Sequence, residues 1–573
     1  MRRLQVARSS REPQWDAIVI GAGLGGLTTA AYLTTNGVRT LVLEQYDVAG
    51  GCSHVFRRKR QFEFDVGVHY LGDCQPGGAI PSILRGVGLD GKIEFLEMDA
   101  DGFDTLVFPD FTFRVPCGWD RYLERLIDAF PEEEAGLRKC VGILAKVGHE
   151  LERTDRPTTT VSLLPFGMKA RTAARWSFRS VAELYSFCAL GPGPRAVISA
   201  QSLDHSAPPS RAAISMHAGL LHHYINGGAY YPRGGGQVLA AHLIDVISSH
   251  GGQVRTGTRV ERITIDAGRV TGVTLRDGES LAVPVVVSNA DIKRTYLELI
   301  GQEHVRAKAI ARTERYRMAL PLHCVYLALD IDLADRLPNT NYWCHPNLDT
   351  EAQYQYCYAG DLPDQLFAYI TSASVKDPFS SHIAPPGQST LEIMTVVPPH
   401  YRFWNVTQGP ATGERYRRKP DYRSIKNEIT DRLIERASEV IPGLEEHIVW
   451  KEGATPMTQE RYTLSSGGAC YGLEHAPDQI GPRRPGPRTS IRGLYLTGHS
   501  TPWGHGVVGV MTGGVGAASA VLGRNLRAQI RSGRVFGDPS RLSAGGPGWD
   551  ALEASRRLPK NRAHTDREAA LRQ

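Results

Sequence analysis

The chain has 573 residues, 41% of them hydrophobic and 22% charged, with 60 Gly, 35 Pro and a net charge of +6. That length implies two or more domains, and the composition is that of a globular protein. The charge is small for the size and carries no basic stripe or aromatic–basic interleaving, so it points away from nucleic acid and allows only mild attraction to anionic surfaces.

Residues 1–14 read as a short disordered leader, basic but without the apolar core of a signal peptide. DAIVI (16–20) predicts a buried parallel strand, and the Gly-rich turn after it opens a helix through LTTAAYLTTN, ended by Gly37 as a left-handed cap. RTLVLE follows as a second strand, which makes a right-handed βαβ unit. Residues 120–190 read as mainly helical, 253–290 as short strands split by the turns DAGR and RDGE, and 311–400 as strand-rich around HCVYLALDI and FAYITSAS. An amphipathic helix is expected over 421–440, a last strand at LYLT (494–497), and a small-residue helix to about residue 525. The Gly-, Pro-, Arg- and Ser-rich remainder has little to bury and is expected to be disordered. No internal repeat is present.

Nine cysteines from Cys52 to Cys470 lack paired spacing, which fits a reducing compartment rather than a disulfide framework. No CxxC pair or His cluster suggests a metal, and Cys52 with His54 is two ligands without partners. No apolar run reaches the roughly 20 residues of a membrane span. A cytoplasmic protein, or one attached to a single membrane face, is expected.

Gly21-Ala22-Gly23-Leu24-Gly25-Gly26 fits G-x-G-x-x-G between a strand and a helix. Gly21 permits the tight turn, Gly23 lets the backbone approach a pyrophosphate, and Gly26 lets helix and strand pack closely. The helix start offers free N–H groups to the phosphates. Glu44 ends the second strand where an acid accepts hydrogen bonds from the adenosine ribose, and an acid there fits an unphosphorylated ribose. Between FAD and NAD, the turn Asp47-Val48-Ala49-Gly50-Gly51-Cys52 decides for FAD, since a glycine pair just after the ribose acid is the flavoprotein extension.

The run GGCSHVFRRKRQFEFDVGVHYLG (50–72) resembles retinol saturase and its bacterial relatives, within the carotenoid isomerases and phytoene desaturases, all flavin amine-oxidase-like enzymes. The resemblance continues through GGAYYPRGGGQVLAAHL (227–243), RVERI (259–263), VVVSNAD (285–291) and GLYLTGHSTPWGHGVVGVMTGG (493–514). It implies that Val260 meets the adenine through its backbone, and that Gly498 and the Gly504–Val508 segment, with Gly506, Val507 and Val508, approach the ribityl chain and flavin ring. His499 stands where relatives often place an Asp for a ribityl hydroxyl, and an imidazole could make a similar hydrogen bond.

His69 and Tyr70 follow the family's FDxG segment and are the sharpest catalytic candidates: a proton must move when hydride moves to or from a double bond. Packing against the ring is the competing role. His505 could stabilise negative charge at the reduced flavin, or be a solvent-lined spacer in a tight turn. Tyr230 and Tyr231 are expected to pack in the core, while His217, His222 and His223 lack an acidic partner at useful spacing and read as structural. Residues 161–190 mix Leu, Phe and Trp with Lys169, Arg171, Arg175 and Arg179, a composition suited to a membrane interface or to an ordinary cap helix.

The fold class is therefore α/β: a discontinuous Rossmann-like FAD-binding domain with an inserted mixed α+β substrate domain. The expected segments are 14–110, 226–300 and 471–528 for FAD, 111–225 for a helical cap, 301–470 for a strand-rich substrate region, and 529–573 for a disordered tail. The resemblance implies desaturation, saturation or isomerisation at C=C bonds of an apolar polyene or isoprenoid, carotenoid- or retinoid-like. No second dinucleotide fingerprint supplies a nicotinamide, which fits a desaturase reoxidised by an external acceptor such as oxygen or quinone, a redox-neutral isomerase using reduced FAD, or a saturase fed by an external electron donor. The rival readings are amine oxidation on the same fold and a prenyl-binding escort protein that has lost its flavin.

Overall fold

The computed structural model describes residues 14–543, 545–546 and 548–556. Of the expected leader, residues 1–13 lie outside them, as do 557–573 of the expected tail.

The apolar runs Ala17–Ile20 and Thr40–Leu43 are buried at every position, as strands covered on both faces must be. They form the middle of a five-stranded parallel sheet ordered Leu494–Leu496, Val286–Ser288, Ala17–Ile20, Thr40–Leu43, Gln253–Arg255. Three separated stretches of chain thus meet in one sheet. The helix Leu24–Thr34 is buried all round because it lies between this sheet and the helix Gly506–Leu522. Small residues allow that approach: Thr29 Oγ1 donates to the Gly514 carbonyl at 3.2 Å, and a Cβ on Gly514 would stand 2.7 Å from the Gly25 carbonyl oxygen.

A second, seven-stranded sheet runs Ile448–Ala454, Leu322–Leu329, Ser389–Val396, Ala368–Thr371, Asn341–Cys344, Asp104–Val107, Thr112–Val115. Its pairings are antiparallel except for the parallel contact of Asp104–Val107 with Asn341–Cys344. A core that includes Leu137, Leu144, Leu184 and Leu221 joins one side of this sheet to the helices Glu134–Arg153, Val181–Phe187 and Ile214–Ile225. The amphipathic helix Pro420–Ser438 buries Ile429, Leu433 and Ile434 in a separate core with Val325, Leu327 and Ile393. No helix among the described residues is long and apolar enough to cross a membrane.

Two expectations need correction. The boundary expected after residue 110 falls inside the second sheet, because Asp104–Val107 already pairs there. The stretch 529–556 is packed rather than disordered over its described residues. Leu552 is 1% exposed, Trp549 lies 4.8 Å from the His242 ring, and Asp550 pairs with Arg57 at 2.6 Å. A segment too polar to build a core can still dock a few apolar side chains on one that exists.

Candidate active site

Two regions carry chemistry, a glycine cradle at the end of the central strand Ala17–Ile20 and a cavity lined in part by Gly506–Val508. In the cradle, Gly21 has φ +94° and Gly26 touches the strand: a Cβ on Gly26 would stand 2.2 Å from the Gly21 carbonyl oxygen. Gly23 caps the Leu24–Thr34 helix without a side-chain bond, and no acid occupies the first turn, so its N–H groups are open to an anion. Gly50 donates to the Ala22 carbonyl at 2.9 Å, and a Cβ on Gly51 would stand 2.9 Å from the Gly23 Cα. With φ of +132° and +58°, the Gly50–Gly51 turn closes over the first loop as few other residues could.

Glu44 is 9% exposed, and its carboxylate is fixed by the chain itself. Oε2 accepts from the Ala22 N–H at 2.8 Å and Oε1 from the Tyr46 N–H at 2.9 Å. Burial raises the carboxyl, and these backbone bonds work the other way. Each oxygen keeps a lone pair for a further donor. The Glu44 carbonyl accepts from Thr258 N–H at 2.7 Å, which brings the start of the Val260–Asp266 strand beside it.

Asn289 is a residue that sequence reasoning missed. Its Nδ2 donates to the Gly21 carbonyl at 3.3 Å, and a Cβ on Gly498 (φ +91°) would stand 2.6 Å from its Oδ1. It therefore ties the N-terminal and C-terminal glycine segments together; its only sequence signal was the VVVSNAD run. His499 is half-buried against Gly472, where a Cβ would lie 2.2 Å from the ring. Its carbonyl accepts from buried Arg484 at 2.9 Å. Gly506 is exposed with φ +71° and starts the Gly506–Leu522 helix, again with no side-chain cap. Side-chain-free loops, an open helix start and a pre-oriented carboxylate fit a dinucleotide such as FAD.

A cavity of about 840 Å³ runs from this helix start, along Gly506, Val507 and Val508, past His69, Tyr70 and Asp204. Gly72 allows the His69–Tyr70 loop to lie on the Ile214–Ile225 helix, since a Cβ there would meet the His223 ring at 2.0 Å. Tyr70 is 6% exposed and stacks on Tyr224 at 4.1 Å with planes 2° apart. Its Oη donates to Asp204 Oδ2 at 2.7 Å, with Asp104 Oδ2 at 3.3 Å. Burial pushes the Asp204 carboxyl up to about 8, the Tyr70 hydrogen bond opposes this, and the neighbouring Asp104 adds to it. Near neutral pH Asp204 is therefore an acid holding its proton. Neither it nor Asp104 had a sequence signal.

His69 Nε2 is buried with no hydrogen-bond partner among the described residues, and burial together with the Lys376 cation lowers the imidazole to about 3. Lys376 Nζ donates to the His69 carbonyl at 2.8 Å, fixing the loop. His505 is not a solvent-lined spacer. It is buried, its Nε2 meets the Asp204 carbonyl at 2.6 Å and its Nδ1 meets His475 Nε2 at 2.7 Å. A carbonyl only accepts, so Nε2–H donates to it and Nδ1 accepts from His475. His505, lowered to about 3 by burial, is thus neutral and holds the Asp204 backbone in place.

Tyr231 is core, bonded to Asp65, and His217 is tied to His205 and the Ile198 carbonyl, as expected. His222, expected to lack an acid, has one across the fold: its Nε2 lies 3.2 Å from Glu152 Oε2. His149, Glu152 and His222 form a trio of metal-competent groups. Trp119 N–H donates to His222 Nδ1 at 3.1 Å, so Nε2 carries its proton toward Glu152 and these three form a hydrogen-bonded chain, with His149 Nδ1 standing 4.0 Å from Glu152.

Residues 24–405 match the flavin containing amine oxidoreductase family. The human all-trans-retinol 13,14-reductase is 32% identical over 547 residues, covering 90% of this chain and 87% of that protein. The chloroplastic prolycopene isomerase of Daucus carota is 26% identical over 89% of this chain and 80% of its own length. Among solved structures, the cyclohexylamine oxidase of Brevibacterium oxydans covers 89% of this chain and all of its own, with a TM-score of 0.56 at 15% identity. That likeness speaks for the fold alone.

Proposed function

The chain belongs to the flavin containing amine oxidoreductase family, with FAD as cofactor, and on that premise we propose that it saturates a C=C bond of a long apolar polyene. The supporting observation is the Asp204 carboxyl, hydrogen-bonded to Tyr70 in the wall of the cavity that continues along Gly506–Val508. Relatives named for retinol reduction and prolycopene isomerisation, matched over about nine-tenths of the chain, give the substrate class.

In this reading Gly21, Gly23, Leu24, Gly25 and Gly26 take the pyrophosphate and Glu44 the ribose, with Val260 at the adenine. Gly50, Gly51, Gly498, His499, Gly506, Val507 and Val508 border the ribityl chain and ring. A bound, reduced flavin supplies a hydride. Asp204 gives its proton to the other alkene carbon, so one C=C becomes a C–C with two new C–H bonds and Asp204 is left as carboxylate. Tyr70 Oη donates to that carboxylate and steadies it until solvent restores the proton. His69, neutral, contacts the chain beside the ring, and the two electrons come from an external donor. The parallel sheet and the parts that join it form the cofactor domain; the seven-stranded sheet and its helices form the substrate domain.

An amine substrate fits less well, because a cationic amine would share the cavity with Arg153, Arg156, Arg527 and Arg531. Val161, Leu164 and Met168 are 86%, 75% and 72% exposed beside exposed Lys169, Arg171 and Arg175. This patch supports contact with one membrane face, from which an apolar substrate can enter. The reaction is tested by anaerobic incubation of reduced enzyme with a panel of polyenes and amines. A product heavier by two hydrogens is expected from a polyene. Loss of two hydrogens with oxidised enzyme, a rearranged product of unchanged mass, or turnover of amines alone would each replace this reading.

A further inference from the structure

The cavity is lined by residues of very different polarity. Near Gly506 it presents tyrosines and neutral imidazoles, Leu220 and Ile530 line its walls, and it also takes in Arg153, Arg156, Arg527 and Arg531. An apolar hydrocarbon gains nothing from cations, and three of these four are satisfied without one. Arg527 pairs with Asp155 at 3.2 Å, and Arg531 reaches the same carboxylate at 3.4 Å. Glu152, the other acid of this segment, is taken by His222. Arg153 is exposed and meets water.

Arg156 differs from all three. It is half-buried, and among the described residues its one hydrogen bond runs from Nη1 to the Trp503 carbonyl at 3.1 Å. Among the described residues no carboxylate lies within 4.0 Å of its guanidinium. Burial lowers its basicity, and the more distant Asp73 only partly offsets that. A guanidinium stays charged in proteins, and a cation withdrawn from water without a counter-charge is costly unless something supplies one. The Nε–Nη2 edge, which meets a carboxylate through two parallel bonds, has no partner among the described residues.

We propose that Arg156 is the anchor for an anionic head group, and that the preferred substrate is a polyene ending in a carboxylate. One unpaired guanidinium matches one negative charge, which favours a carboxylate over a doubly charged phosphate. The head on Arg156 sets how far the chain reaches toward Tyr70 and Asp204, and hence which double bond is presented. The proposal rests on the polyene reading above but concerns only the end of the molecule that does not react.

The test is equilibrium binding to the flavin-loaded protein of all-trans-retinoate and all-trans-retinol, which share a chain and differ in the head. Wild type is expected to bind the acid about tenfold or more tightly than the alcohol, as a charged hydrogen-bonded pair implies. Arg156→Gln should bring the acid to the level of the alcohol and leave the alcohol unchanged, and Arg156→Lys should recover part of the preference. Equal binding of both by wild type overturns the proposal, and that comparison needs no variant to fold. Equal loss of both ligands in Arg156→Gln, or loss of its flavin absorbance, overturns it too, by giving Arg156 a structural or cofactor role. Tight acid binding with no polyene reduced would instead sink the reaction while leaving the anchor standing. Reduction of both polyenes with equal affinities would do the reverse.

Discussion

Purified Glu44→Arg protein is expected to carry no flavin. Glu44 is 9% exposed, and both its carboxylate oxygens are held by backbone N–H groups at 2.8 and 2.9 Å. The remaining lone pairs are the ones proposed to meet the ribose hydroxyls. Two hydrogen bonds to a charged group, at about 1.5–3 kcal/mol each, amount to about a hundredfold or more in affinity. Arginine adds a cation with no partner at a site beside the Ala22 and Tyr46 N–H groups, which lose their acceptors as well. Glu44→Gln keeps the shape and one acceptor, so it should retain part of the flavin and serves as the folding control. Full flavin occupancy in Glu44→Arg would show that the adenosine end lies elsewhere.

The second large effect is expected at Asp204. Asp204→Asn should lower the single-turnover rate by about 10²- to 10⁴-fold, the usual worth of a positioned acid, without changing the flavin content. Asn keeps a hydrogen bond for Tyr70 but has no proton to give. The sign of the pH dependence follows from the raised carboxyl. With the group pushed up to about 8, the wild-type rate should be steady below that pH and fall as it is crossed upward, because the acid loses its proton. Asp104 and Tyr70 face the same carboxyl, so its titration belongs to that cluster. In Asp204→Asn the alkaline fall should vanish. An unchanged rate, or a fall that persists in the variant, would place the proton source elsewhere.

The parts legible in the sequence were those set by local sterics. Ala17–Ile20 and Thr40–Leu43 are short apolar runs that can only be buried strands. Gly26 announces itself because a Cβ there has nowhere to go. The acid was not legible, since Tyr70 meets Asp104 and Asp204 from positions 34 and 134 residues away, and no spacing carries that information. His222 read as unpartnered for the same reason, its acid lying 70 residues upstream. His505 sat in a recognisable glycine segment, but its role depends on His475 and on the Asp204 carbonyl, which the fold alone brings to it. The described tail residues are too polar to build a core of their own, but Trp549 and Leu552 dock on one already made, which composition does not show.

The most direct test of the account is anaerobic rapid mixing of flavin-reduced protein with a polyene, following flavin and polyene absorbance together. The oxidised flavin spectrum is expected to return at the same rate as the polyene loses one conjugated double bond, and both should slow together in Asp204→Asn. A flavin that stays reduced while the polyene remains intact or only changes geometry would contradict it.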